Sequence, residues 1–158
     1  MKKRKFGIAI AIVAILGIGI VLYNQIIPNE YIPTDDEIAL HIELDIEEDI
    51  GLLVFDYIAD GREYSGGISN ADRSLIKHNS DVLQVWNRQE LNSSADTVEL
   101  SIQFRIIMEY VEPNFENIYS EDITEYIDTP VSLNADFGEE YFILITGNKE
   151  SGYKAVLN

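Results

Sequence analysis

The chain has 158 residues, no cysteine, and 28 acidic against 11 basic residues, for a formal net charge of −17. The absence of cysteine excludes disulfide scaffolds, thiolate zinc sites, iron–sulfur clusters, cysteine nucleophiles and lipidation on cysteine. All 28 acidic and seven of the 11 basic residues follow residue 5, so the rest carries −21; nucleic acid and anionic lipid headgroups, which are bound through basic residues that displace counterions, are repelled.

Lys2, Lys3, Arg4 and Lys5 precede Phe6 to Tyr23, a run without a single charge. At about 1.5 Å of rise per residue a helix over that run covers about 27 Å. The hydrocarbon core of a bilayer is about 30 Å thick, and Ile26 and Ile27 can lengthen the helix. A transmembrane signal-anchor is expected over 6–27. It is favoured over a cleaved leader because no Ala, Gly or Ser between Ile20 and Tyr31 offers a cleavage site, and Gly17 with Gly19 lies inside the apolar run. Basic residues before the span and acidic chain after it place 1–5 in the cytoplasm as a tail and the carboxyl-terminal domain outside the cell, at the cell membrane. Gly7 and Ala11 form a small-xxx-small pair at which two such helices can approach. Residues 28–37, with Pro28, Pro33, Asp35, Asp36 and Glu37, read as a short stiff stalk.

From Ile38 the period is two. Ile38, Leu40, Ile42, Leu44 and Ile46 alternate with Ala39, His41, Glu43 and Asp45, the mark of a strand with one buried face. Leu52 to Ile58 is a second strand, and Asp60-Gly61 predicts a two-residue hairpin turn that returns Arg62 to Tyr64. Gly66 and Gly67 are expected to break that strand. Turn chemistry over Ser69 to Ser74 leads to short extended pieces at 75–78 and 82–86. Thr97 to Val111 alternates until Ile107, where the phase change predicts a bulge or bend before Pro113. Ser120 to Ile127 is the one helical candidate, at most two turns long before Pro130. Strands are expected at 131–135, 141–146 and 153–157, the last two joined by a polar turn. The whole of 38–158 therefore reads as one all-β domain, an antiparallel β-sandwich of immunoglobulin-like architecture with at most one short helix. Trp86 is a candidate for its core.

Candidate chemistry is sparse. Asp45, Glu47 and Asp49 alternate before Gly51, with Asp56 further on, in partial likeness to a calcium loop; Ile50 stands where such a loop needs glycine, and Asp56 where it needs Glu. A looser oxygen cage built from loops between strands, such as Asn70 with Asp72 or Asp35 with Asp36, is the other candidate, and calcium is the one cofactor to consider. His41 shares a strand face with Glu43 and Asp45 and reads as a surface imidazole, whereas His78 falls in a polar loop. Neither has a zinc spacing or a nucleophile-elbow serine beside it. No phosphate-loop glycine pattern is present. Among the aromatics, Tyr64, Tyr110 and Tyr119 lie near turns and are the candidates for partner binding. Asn92-Ser93-Ser94 is a glycosylation acceptor pattern. The function expected is a single-pass, anchored protein whose outward domain is a non-catalytic binding or interaction module for a basic protein or a surface glycan. Two alternatives come from other classes: a small carboxylate-based hydrolase of envelope glycans, and an accessory subunit of a membrane complex that uses the span itself as an interface.

Overall fold

The computed structural model describes residues 31–114 and 116–158. The expected tail, anchor and first part of the stalk lie outside the described residues, and no helix among the described residues is long and apolar enough to cross a membrane. The chain divides into units Met1–Ile32 and Pro33–Asn158. All nine described strands belong to the second: β1 (Glu37–Ile46), β2 (Leu52–Ala59), β3 (Arg62–Ile68), β4 (Asp81–Asn87), β5 (Thr97–Ile107), β6 (Thr124–Tyr126), β7 (Val131–Asp136), β8 (Glu140–Asn148) and β9 (Gly152–Leu157).

They form two sheets, one ordered β4-β1-β8-β9 and one ordered β3-β2-β5, with β6 and β7 both pairing with β5. Alternation builds the core between them. The residues of β1 expected to face inward are all buried, and they meet Leu53, Phe55 and Tyr57 of β2, Val98 to Ile106 on alternate positions of β5, and Val131, Leu133 and Ala135 of β7. Trp86 is among them, 3 % exposed, with ring contacts of 6.0 Å to Phe55 and 4.8 Å to Tyr57. The all-β class and the two packed sheets are as expected.

Three local expectations are corrected and one is narrowed. The sandwich is not wholly antiparallel, because β1 pairs with β8 in parallel from Ala39↔Glu140 to Ile46↔Gly147. Antiparallel neighbours arise easily from short hairpins, whereas β8 reaches β1 only after the chain has passed through the opposite sheet, so no turn fixes its direction. Gly66 and Gly67 do not end β3, which runs through them to Ile68. A Cβ on Gly66 would lie 2.5 Å from Phe55 Cε2, so glycine here admits a core ring against the backbone.

At Ile107 the strand ends in a bend at Met108 and Glu109, not in a bulge. The β2–β5 register runs unbroken to Leu52↔Ile107, and both faces are buried there because the outward residues Leu52, Val54 and Ile107 form a second cluster roofed by Val111, Tyr119 and Ile123. The helical candidate is only a three-residue 3-10 turn, Glu121–Ile123, followed by β6. Thr124 is taken into the sheet opposite Ile107, a position that suits a β-branched side chain better than a helix does. Ser120 spends its hydroxyl on the Asp122 carboxylate rather than on a helix cap.

Candidate functional site

The outer face of the β4-β1-β8-β9 sheet carries apolar residues that stay exposed among the described residues. The register places Leu83, His41 and Phe142 in one row across β4, β1 and β8. The next row holds Asp81, Glu43, Leu144 and Val156. Leu83, Phe142 and Val156 are exposed to 37 %, 48 % and 50 %, large values for mid-strand hydrophobics. Glu43, Asp45 and Asp81 are exposed around them. Single exposed hydrophobics are ordinary, but a contiguous group ringed by charge marks a contact surface.

His41 lies at the centre of this face. Its ring stacks on Phe142 with centroids 4.9 Å apart and planes 15° from parallel. Its Nδ1 is 3.0 Å from Asp81 Oδ2. Nε2 is buried without a hydrogen-bond partner, the one such side-chain atom among the described residues. A cleft of about 280 Å³ opens beside the ring, lined by Glu43, Asn79, Asp81 and Phe142 among others. His41 is thus beside carboxylates, as expected, but it is mostly covered rather than a free surface imidazole; its side chain is 15 % exposed.

The acidic residues considered as metal ligands are spent elsewhere, mainly on clamping loops. Asp49 receives Lys77 Nζ at 2.6 Å, the His78 backbone N–H at 3.0 Å and lies 2.8 Å from His78 Nδ1. These bonds, the Lys77 ammonium first, hold its carboxyl well below the usual carboxylate range. Glu47 accepts from Asn148 Nδ2 at 2.9 Å. Glu48 accepts from the Lys149 N–H and the Tyr153 hydroxyl. Partial desolvation of Glu48 is outweighed by those bonds, so its carboxyl is held low, while burial and the same bond push the Tyr153 phenol up. Asp45 points outward from β1. Asp72 accepts from Ser74, and Asn70 donates to the Ser74 hydroxyl and the Leu75 carbonyl. Asp36 pairs with Arg88 at 2.8 Å. No group of three or more His, Cys, Asp or Glu able to hold a metal ion occurs among the described residues.

The three tyrosines chosen for partner binding also have structural partners. Tyr64 stacks on Tyr57 at 5.1 Å and donates to the Leu91 carbonyl. Tyr119 packs on the second cluster and accepts from the Asn114 N–H. Tyr110 is partly covered, and desolvation with the Glu112 carboxylate pushes its phenol up. Asn92 is exposed in the β4–β5 loop with a positive φ of 48°.

Leu83, Phe142 and Val156 were not singled out from the sequence. A signal for them exists: residues 141–145 and 155–157 are unbroken apolar runs in a chain whose β1 and β5 alternate. An unbroken run states that both faces of a strand are apolar. No protein-family model, curated protein or solved structure matches this chain.

Proposed function

We propose that this protein is a binding module without catalytic activity, tethered to the cell membrane by its amino-terminal segment, with the sandwich outside the cell. The surface that binds is the outer face of β4-β1-β8-β9, and the partner is a protein that offers aliphatic or aromatic side chains between lysines or arginines. The observation that carries this reading is the exposed apolar group of Leu83, Phe142 and Val156 on two neighbouring rows, with the carboxylates of Glu43, Asp45 and Asp81 on β1 and β4 beside it and Lys154 as the one cation in the row beyond Val156. Apolar contact supplies the affinity of such a surface, and the rim charges supply selectivity and encounter rate. A second copy of the chain is disfavoured as the partner, since each face sets Glu43, Asp45 and Asp81 against the single cation Lys154.

A non-catalytic role is supported by the state of His41. Its Nδ1 is taken up by Asp81 and its Nε2 is buried without a hydrogen-bond partner among the described residues. The immunoglobulin-like reading of the sandwich belongs to the same proposal, and its support is Trp86 packed between the two sheets against Phe55 and Tyr57. Support for the tether is the uncharged run of Phe6 to Tyr23 behind four basic residues.

The test uses the full chain and two peptide sets, one alternating Lys or Arg with Leu or Phe, the other with Glu in place of the basic residues. The basic set is expected to bind, more weakly as salt rises, and to lose binding with Phe142→Ser. Equal binding of both sets, or an unaffected Phe142→Ser variant, contradicts the proposal.

A further inference from the structure

A cleft on the opposite sheet, away from the face just assigned, is built differently. It encloses about 610 Å³, inside the range of about 300 to 1,000 Å³ found for small-ligand sites. Its floor is two rows of the β3-β2-β5 sheet, Ser65–Asp56–Gln103 and Glu63–Ile58–Ser101. Pro130 forms part of one wall.

The polar groups of this floor are held in place by their neighbours. Asp56 accepts from the Ser65 hydroxyl at 2.6 Å and is paired with Arg105, 2.7 Å from its Nη2. That guanidinium, only 14 % exposed, cancels the charge of Asp56. Gln103 donates its side-chain N–H to the Ile127 carbonyl, which fixes the amide and leaves its oxygen as an acceptor. The Ser101 hydroxyl stands 3.5 Å from that of Ser132 on β7. Amid these groups, Ile58 on an interior strand of the sheet is 44 % exposed.

We infer that this groove binds a neutral oligosaccharide. A sugar ring has one apolar face, for which Ile58 and Pro130 are a seat. Its rim of hydroxyls both donates and accepts, which matches the Gln103 oxygen, the Ser101 hydroxyl and the Glu63 carboxylate, while the Ser65 hydroxyl is taken up in donating to Asp56 and accepting from Asn117 Nδ2. Charge argues against other classes of ligand. Anions meet Glu63 and the strongly acidic domain. Cations find only one uncompensated carboxylate on the floor, because Asp56 is already neutralised by Arg105. The inference is independent of the partner surface on the other sheet.

Isothermal titration of the full chain, kept in a sugar-free zwitterionic detergent, tests it with tetrasaccharides of glucose, mannose, galactose and N-acetylglucosamine, and with spermidine as the cationic comparison. At least one tetrasaccharide should saturate the protein below about 10 mM, and Ile58→Ala and Gln103→Ala should each weaken it by about tenfold. Phe142→Ser should leave it unchanged, which separates this groove from the protein-binding face. Ile58 is an exposed position, so its alanine variant keeps the fold, as an unchanged circular dichroism spectrum will verify. The inference is overturned if no tetrasaccharide saturates, if spermidine binds in their place, or if both groove variants bind sugar as the wild type does.

Discussion

Gly51→Ala separates two ways in which this fold depends on glycine. Gly51 sits before β2, where the Glu109–Tyr110 peptide crosses directly over it. A Cβ there would lie 1.9 Å from the Glu109 oxygen, 2.1 Å from its carbonyl carbon and 2.5 Å from the Tyr110 nitrogen. Real Cβ atoms essentially never come closer than 3.0 Å to such atoms, so the crossing backbone must retreat by about 1 Å or more, a shift of the kind that overpacking forces. The segment that must move leads straight into the roof of Val111, Tyr119 and Ile123 over Leu52, Val54 and Ile107. It is also tied down by Gly51 N–H donating to the Ile107 carbonyl at 2.8 Å and Met108 N–H to that of Ile123 at 2.9 Å. Overpacking costs about 1 to 3 kcal/mol, and a lost hydrogen bond adds about 1 kcal/mol. The expected destabilisation is therefore about 3 kcal/mol, a large share of the roughly 5 to 15 kcal/mol that holds a domain together. Gly61 is the comparison: its φ is +78° and nothing lies within 4 Å of its added Cβ. Gly61→Ala should cost only the left-handed strain of about 1 kcal/mol. Urea unfolding followed by Trp86 fluorescence measures both. A Gly51→Ala cost no larger than that of Gly61→Ala would refute the close-approach argument.

Three further outcomes follow from the charges and phenols. Arg105 bonds Asp56 and, through Nη1, the Asn117 carbonyl at 2.9 Å; Arg105→Met should lower stability by about 1 kcal/mol, discounted for the half-exposed Asp56, and raise amide exchange across 111–119 ahead of the rest of the domain. Unchanged exchange there would show that Arg105 does not pin the roof. The folded-state pKa of Asp49 is depressed by Lys77 and His78, so its contribution is complete above the unfolded value of about 3.9 and fades as the pH falls below it. Asp49→Asn should thus lower the urea midpoint at pH 7 and converge with the wild type in acid; a pH-independent difference would contradict the sign. Burial pushes the Tyr57 phenol up to about 12, so the protein should lose stability as the pH rises from about 10 to 12, with Tyr57→Phe flattening that loss; identical alkaline profiles would refute it.

The sequence made the strands legible wherever one face met water. β1 and the Thr97 to Ile106 stretch of β5 could be read because polar residues alternate with apolar ones, and the Asp60-Gly61 hairpin because its turn chemistry is local. Errors arose where long-range contacts decided the outcome. Gly66 looks like a break until Phe55 is known to press on it, and the apolar Ile107 is out of phase until Val111, Tyr119 and Ile123 are seen to cover its cluster. The Ser120 to Ile127 stretch has helical spacing, but pairing of Thr124 with Ile107 overrides two turns of marginal helix. The parallel β1–β8 pair has no local signature at all, being set by the path of the chain through the other sheet.

The candidate sites were less legible for a similar reason. Acidic residues are numerous, and only the fold distinguishes Asp49, tied to Lys77 and His78, or Glu47 and Glu48, tied to the 148–149 hairpin, from free ligands. Tyr64 and Tyr119 attracted attention by their place near turns, yet both pack inward. The exposed apolar group instead joins β4 to the distant β8–β9 hairpin across β1, which only the register aligns.

The most direct test of the binding face is site-specific photo-cross-linking in cells that make the full chain, with the reactive residue at position 83 on that face or at position 134 on β7. The account predicts one dominant product from position 83, absent from 134 and lost in the Phe142→Ser background, whose cross-linked site in the partner lies among lysines or arginines. Equal labelling from both positions, or a product from 83 that survives Phe142→Ser, would contradict it.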